Sequence, residues 1–471
     1  MFKGVSLLFM LLLSLTAHAE YWPAEQWSPG PTITGPALEA LETYAFPPRD
    51  DSTRTGIRTD ALLVIRDGQL IYERYAGPTT ADTPHLTWSI SKSLMATVLG
   101  VAYGEGLFRL QDPVVKFYPT LENHPAITLA DLLHWASGLD WQEDYEYAPL
   151  KSSVVAMLYT RGHANMAAFT AAHDEYAAPG QAFRYSSGDS NLLSAALKSI
   201  VGPNRYPDYP WTALFEPLGI RHAVWETDAT GTFVASSYAY LTARDLARVG
   251  LLMAREGRWG DRQLLPKDWV AFNREPFAGY RAHQDEAVPG GQWWLNRAVD
   301  GAAPPWPAAP ADTFAALGHW GQALYVIPSE NLVIVRYADD RDGTYQHNEL
   351  LKLALKAFCQ EGAAMSRFIR RRPFASVLLL VLILLLGWIW QERVALWAFP
   401  DIISAYTAKE YCSCRYVMNN DAGYCRGYVK QWLPFSGFDD DAASKRVMVS
   451  GLGRSNTAAW VGERQGCRLS P

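Results

Sequence analysis

Three short stretches hold residues whose types and spacing could do chemistry. In "TWSISKSLMA", Thr87 to Ala96, Ser89 and Lys92 stand three residues apart. From Leu94 onward, "LMATVLGVAYGEG" has apolar residues at helical spacing and closes on glycines. The pair therefore falls on the first turn of a helix and shares a face. A serine hydroxyl is a poor nucleophile until a base takes its proton. A lysine, ordinarily near pKa ~10.4, serves as that base only where burial or nearby charge favours its neutral form. The competing reading of Ser89 and Lys92 is a helix cap beside a solvated lysine. The second stretch, "FRYSSGDSNLL", sets Tyr185-Ser186-Ser187 just before another helical pattern. In the third, "GHWGQALYVIP", Gly318, His319, Trp320, Gly321 and Gln322 open an apolar strand. The competing readings there are a core aromatic for Tyr185 and a solvent-facing strand residue for His319.

The elements that must position these groups are legible as patterns. "ALLVIR-DG-QLIYERY" reads as two strands joined at Asp67-Gly68, a hairpin turn. "ITLADLLHWASGL" reads as a short helix capped by Thr128 and stopped at Gly138. "SNLLSAALKSIVG", "WTALFEPLG" and "TARDLARVGLLMAREG" carry apolar residues at three-to-four spacing, giving a helical middle to about residue 270. Strand patterns return in "GQWWLNR", "TFAALGHWGQALYVIP" and "NLVIVRYADD", and "HNELLKLALKAF" adds a last helix. Strands from both ends around a helical middle predict an α+β fold: an antiparallel sheet flanked by helices, with a helical subdomain.

The three motifs, in the order S-x-x-K, Y-x-S and H-x-G, resemble those of the serine beta-lactamase and penicillin-binding-protein superfamily. The class C-like branch, with family VIII esterases and 6-aminohexanoate-dimer hydrolases, is the most similar. The resemblance runs over roughly residues 30 to 360 and includes "ITLADLLHWASGL", "LFEPLGI", "TARDLARVG" and "GQALYVIP". It implies a beta-lactamase/transpeptidase-like fold in which Ser89 is the nucleophile, Lys92 its base and Tyr185 the general acid. It further implies that His319 and Gly321 lie on an edge strand walling the cleft. The backbone N–H groups of Ser89 and Gln322 would form the oxyanion hole. Ser187 stands where beta-lactamases usually have Asn, and His319-Trp320-Gly321 replaces Lys-Thr-Gly. The cleft therefore lacks the lysine that commonly meets a substrate carboxylate. In the aminohexanoate-oligomer hydrolases a loop tyrosine also takes part, and "GLDWQEDYEY" offers Tyr145 or Tyr147. The function implied is a serine hydrolase cleaving small amides or esters through an acyl-enzyme. The alternatives are a beta-lactamase or D-alanyl-D-alanine carboxypeptidase, and a non-catalytic binder of peptidoglycan or a partner on the same fold.

The chain of 471 residues is 49% hydrophobic and 13% aromatic, enough to fill a sizeable core, and its net charge of −6 includes no basic domain for nucleic acid. Residues 1–19 have a positive Lys3, an apolar run and Ala17-His18-Ala19, the pattern of a signal peptide. Residues 20–360 are read as the hydrolase domain. Residues 374–390 are apolar and uncharged between arginines and tryptophans, which predicts a transmembrane helix. Residues 398–471 form a tail with Cys412, Cys414, Cys425 and Cys467. These features predict a bacterial-type envelope protein of the inner membrane with its catalytic domain in the periplasm. A single span would put the tail in the cytoplasm, where its cysteines stay reduced. Against this, the arginines from Arg367 to Arg372 sit on the catalytic side. From Met365 the chain reads like the start of a separate envelope protein with its tail outside. No metal or cofactor is expected, and the partners expected are a small amide or ester and the membrane.

Overall fold

The run Thr59–Arg66, rich in Leu, Val and Ile, forms strand β1, buried on both faces as a continuous apolar run should be. In the computed structural model, the described residues are 20–49, 53–145, 151–282, 287–359, 393–417, 421–430, 434–462 and 466–469. Asp67 and Gly68 turn the chain at φ 53° and 83° into β2 (Gln69–Tyr75), the predicted hairpin. Before it, Pro36 opens helix α1 (Pro36–Ala45) within a Pro-rich leader, residues 22–60, whose composition suggests no helix. Strand β3 (His85–Leu86) leads to α2 (Ile90–Gly104), whose residues Ile90 to Ala102 are all buried. Helix α3 (Leu129–Leu133) starts at a capping box between Thr128 and Asp131. It ends before His134 rather than at Gly138.

The helical middle holds α4 (Ser153–Tyr159), α5 (Met166–Ala171), α6 (Ser187–Val201) and α7 (Ala243–Ala254). The sheet resumes with the short β4 (Val288–Pro289) and β5 (Trp294–Leu295). It continues in β6 (Phe314–Gly318), β7 (Gln322–Ile327) and β8 (Leu332–Ala338), and α8 (His347–Phe358) follows. Its strand order is β2-β1-β8-β7-β6-β5-β4, with every neighbouring pair antiparallel. Side-chain alternation sorts the strands onto two cores. Leu63, Ile65, Leu324, Val333 and Val335 pack with α2, α6 and α7, while Leu62, Val64, Tyr325 and Ile334 pack with α1 and α8.

The chain divides into two compact units, Met1–Glu361 and Gly362–Pro471. In the second, α9 (Arg393–Cys412) packs on a four-stranded antiparallel sheet running from Gly437 to Leu469. Its core includes Ala408, Tyr411, Val447 and Val449, and disulfides join Cys412 to Cys467 and Cys414 to Cys425. Among the described residues the remaining cysteine, Cys359 of the first unit, is unbridged, and burial pushes its thiol up to about 12. Both the predicted signal peptide at 1–19 and the predicted span at 374–390 lie outside the described residues. Among those described, no helix is long and apolar enough to cross a membrane.

Candidate active site

Ser89 precedes the first turn of α2 with helical backbone angles, and its hydroxyl makes no capping bond. That hydroxyl instead accepts a hydrogen bond of 2.9 Å from Lys92 Nζ, which also donates to the Ser236 carbonyl at 2.9 Å. Lys92 is 1% exposed, so the solvated-lysine reading fails. Burial pushes its ammonium down to about 8, opposed by the charge of the Glu143 carboxylate. The segment before α2 is unusual: Trp88 holds φ 50°, a left-handed conformation that costs a bulky residue energy.

Tyr185 ends the strand-like approach to α6, which Ser186 caps by accepting from Asp189 N–H. Its ring lies 5.0 Å from that of Trp135 and 5.3 Å from that of Trp294, and Lys92 Nζ sits 4.9 Å from its centroid. Burial first, and the Glu143 charge second, raise the phenol well above its ordinary range, partly offset by a hydrogen bond with Ser89. Tyr185 therefore stays protonated at neutral pH.

Ser187 is fully buried and faces Glu143. Its hydroxyl donates to one carboxylate oxygen at 2.6 Å, its N–H to the other at 2.9 Å, and Trp141 Nε1 adds a third bond at 2.6 Å. Ser187, expected from the resemblance among the substrate-binding residues, hydrogen-bonds a carboxylate that itself lines the cleft. Glu143 went unnoticed in the sequence, where "GLDWQEDYEY" was read for its tyrosines. Its partner Ser187 lies 44 residues away in the chain, so no local pattern marks the pair.

His319 and Gly321 do not lie on an edge strand. They belong to the turn His319–Gly321 between β6 and β7, two interior strands whose register pairs Gly318 with Gln322. The chain reverses because Trp320 and Gly321 take φ 58° and 82°. A Cβ on Gly318 would meet the Thr87 carbonyl at 2.4 Å, so glycine allows β6 to end against the segment carrying Ser89. The His319 ring stacks on Tyr145 at 5.0 Å and meets Trp88 edge-on at 5.4 Å. Gln322 is fully buried, its amide donating to the His319 carbonyl at 3.1 Å and accepting from Ala338 N–H at 2.9 Å.

Together these groups border an open cavity of about 310 Å³ lined by Ser89, Glu143, Tyr145, Tyr185, His319 and Gly318, with Trp294 and Leu317 as apolar wall. Lys92 reaches Ser89 from beneath, while Ser187, Gly321 and Gln322 are not on the wall. Tyr147 lies outside the described residues. A buried amine on a serine, a protonated phenol beside them and a cleft with an aromatic wall are the parts of an acyl-transfer site.

The Beta-lactamase family model matches residues 45–357. The chain belongs to the beta-lactamase family. Among its relatives, the 6-aminohexanoate-dimer hydrolase of Paenarthrobacter ureafaciens is 26% identical over 312 residues, covering 61% of this chain and 74% of that protein. Solved structures share the beta-lactamase fold at lower identity. A putative 6-aminohexanoate-dimer hydrolase from Bacillus anthracis superposes with TM-score 0.54 at 22% identity, over 74% of this chain and 88% of that one. A structure described as a family VIII carboxylesterase gives 0.52 at 16%, over 70% and 99%.

Proposed function

We propose that this beta-lactamase-family protein is a serine hydrolase that cleaves small amides or esters through an acyl-enzyme on Ser89. The observation that carries this reading is the 2.9 Å contact between Ser89 Oγ and a buried Lys92 Nζ whose pKa is lowered to about 8. Neutral Lys92 takes the hydroxyl proton as Oγ bonds to the substrate carbonyl carbon. The oxyanion that forms is held by backbone N–H groups at the cavity wall. Ser89 N–H, among the first of a helix, has no intrahelical partner. The second donor implied by the resemblance is Gln322 N–H, which follows the turn whose His319 lines the cavity with Ser89. Tyr185 gives its proton to the leaving nitrogen or oxygen as that bond breaks and regains one from Lys92. Water then attacks the acyl carbon by the same route reversed.

The similarity to a 6-aminohexanoate-dimer hydrolase supports an amide among the substrates. Export through residues 1–19 and tethering through 374–390 remain part of the proposal, with the catalytic unit in the periplasm. A fluorophosphonate probe followed by peptide mass spectrometry tests the reading. Label should fall on the Ser89 peptide, and Ser89→Ala should lose both label and hydrolysis while its circular dichroism is unchanged. Label on Ser91 or Ser93, or near-normal hydrolysis by the variant, overturns it.

A further inference from the structure

The cavity around Ser89 contains one carboxylate among its described lining residues, and it is held rigidly. Glu143 accepts from Ser187 Oγ, Ser187 N–H and Trp141 Nε1. An ionised carboxylate has about four lone-pair sites, so this clamp leaves acceptor capacity facing the cavity. The neighbouring wall is aromatic, formed by Tyr145, Tyr185, His319 and Trp294, with Trp88 behind Tyr145 and His319. Aromatic faces carry negative charge density and attract cations, most strongly where water is excluded. A fixed anion inside an aromatic wall therefore discriminates by charge.

We propose that Glu143 is a specificity-determining residue of this cleft, receiving the ammonium of an amine-bearing substrate and disfavouring a carboxylate-bearing one. This rests on the reading of Ser89 as nucleophile. The same charge acts on the cation already present, since Glu143 opposes the lowering of Lys92. The family's lysine would have set an attractive cation at the rim. Here a histidine stands at that position and an acid lines the same cavity, so the charge preference of the site is reversed.

The experiment uses the full chain and p-nitrophenyl esters of matched length ending in methyl, trimethylammonium or carboxylate. The wild type should favour the trimethylammonium ester over the carboxylate ester in kcat/KM. In Glu143→Gln that ratio should fall by about tenfold, the scale of one desolvated charge contact. Glu143→Asp, which keeps the charge, should retain the wild-type preference. A ratio unchanged in Glu143→Gln overturns the proposal, because a merely structural role would slow all three esters alike. Should Glu143→Gln fail to fold, raising salt on the wild type must shrink the ratio, and a ratio indifferent to salt overturns the proposal instead. Loss of hydrolysis in Ser89→Ala alongside a charge-blind wild type sinks this inference alone. Retained hydrolysis in Ser89→Ala sinks the reading beneath it.

Discussion

Lys92 carries the clearest titration in the molecule. With the ammonium lowered to about 8 by burial, the free enzyme needs pH above that value for its base to be neutral. Catalytic efficiency on a neutral ester should therefore fall by about tenfold per pH unit below about 8 and level off above it, as read in the pH dependence of kcat/KM. Glu143→Gln removes the charge that opposes the lowering, so its acid limb should move to lower pH. The Tyr185 phenol is shifted upward and stays protonated through this range. His319→Lys restores a permanent cation at the rim. It should raise the rate on a carboxylate ester relative to a neutral one by roughly two- to fivefold, the scale of an exposed ion pair. Efficient hydrolysis of penicillin by the wild type would refute this charge argument. Ser89, Lys92 and Tyr185 were legible because their spacing from helix starts is local. Glu143 was not, because its contact with Ser187 forms only when segments 44 residues apart meet.

The turn between β6 and β7 shows where pattern reading stops. Asp67-Gly68 announces its hairpin by composition, whereas His319-Trp320-Gly321 uses a bulky aromatic at φ 58° and so read as the opening of a single strand. The conformation is imposed by tertiary contacts. Arg336, fully buried on β8, donates to the Gly321 carbonyl at 2.9 Å and pairs with Asp340, and its guanidinium lies 3.7 Å from the Tyr345 ring centroid. A Cβ on Gly321 would meet Asp340 Oδ2 at 2.1 Å. Gly321→Ala should therefore lower stability by about 1–3 kcal/mol, seen as a drop in Tm, and reduce hydrolysis by displacing His319. Helix α1 escaped notice for the opposite reason: Pro36 at its first position starts a helix, while a Pro-rich leader suggests none. Where one face of an element is apolar, as in α8, or its first turn is capped locally, as Ser186 does for α6, the sequence sufficed to place it.

At the scale of the whole molecule, the two disulfides of the second unit bear on topology. An exported catalytic unit with a single span would leave the tail in the cytoplasm, where bridges such as Cys412–Cys467 and Cys414–Cys425 are reduced, so the state of these cysteines tests that arrangement. We predict that alkylation of the denatured, unreduced protein adds one adduct, on Cys359, and that prior reduction raises the count to all five cysteines. Five adducts without reduction would return the tail to the reducing side. Cysteine spacing alone could not reveal these pairs, since four cysteines allow three pairings. A chain with an odd thiol among two bridges risks scrambling, because a thiolate attacks disulfide sulfur and passes the bond along. Cys359, held up to about 12, is almost entirely protonated at neutral pH. Once the first unit has folded, few molecules carry the thiolate at pH 7, and exchange initiated there is slowed by less than the thiolate fraction alone implies, since a thiolate of high pKa is more nucleophilic. With the first unit folded, the bridges of the tail therefore face a much weakened competing nucleophile from the same chain.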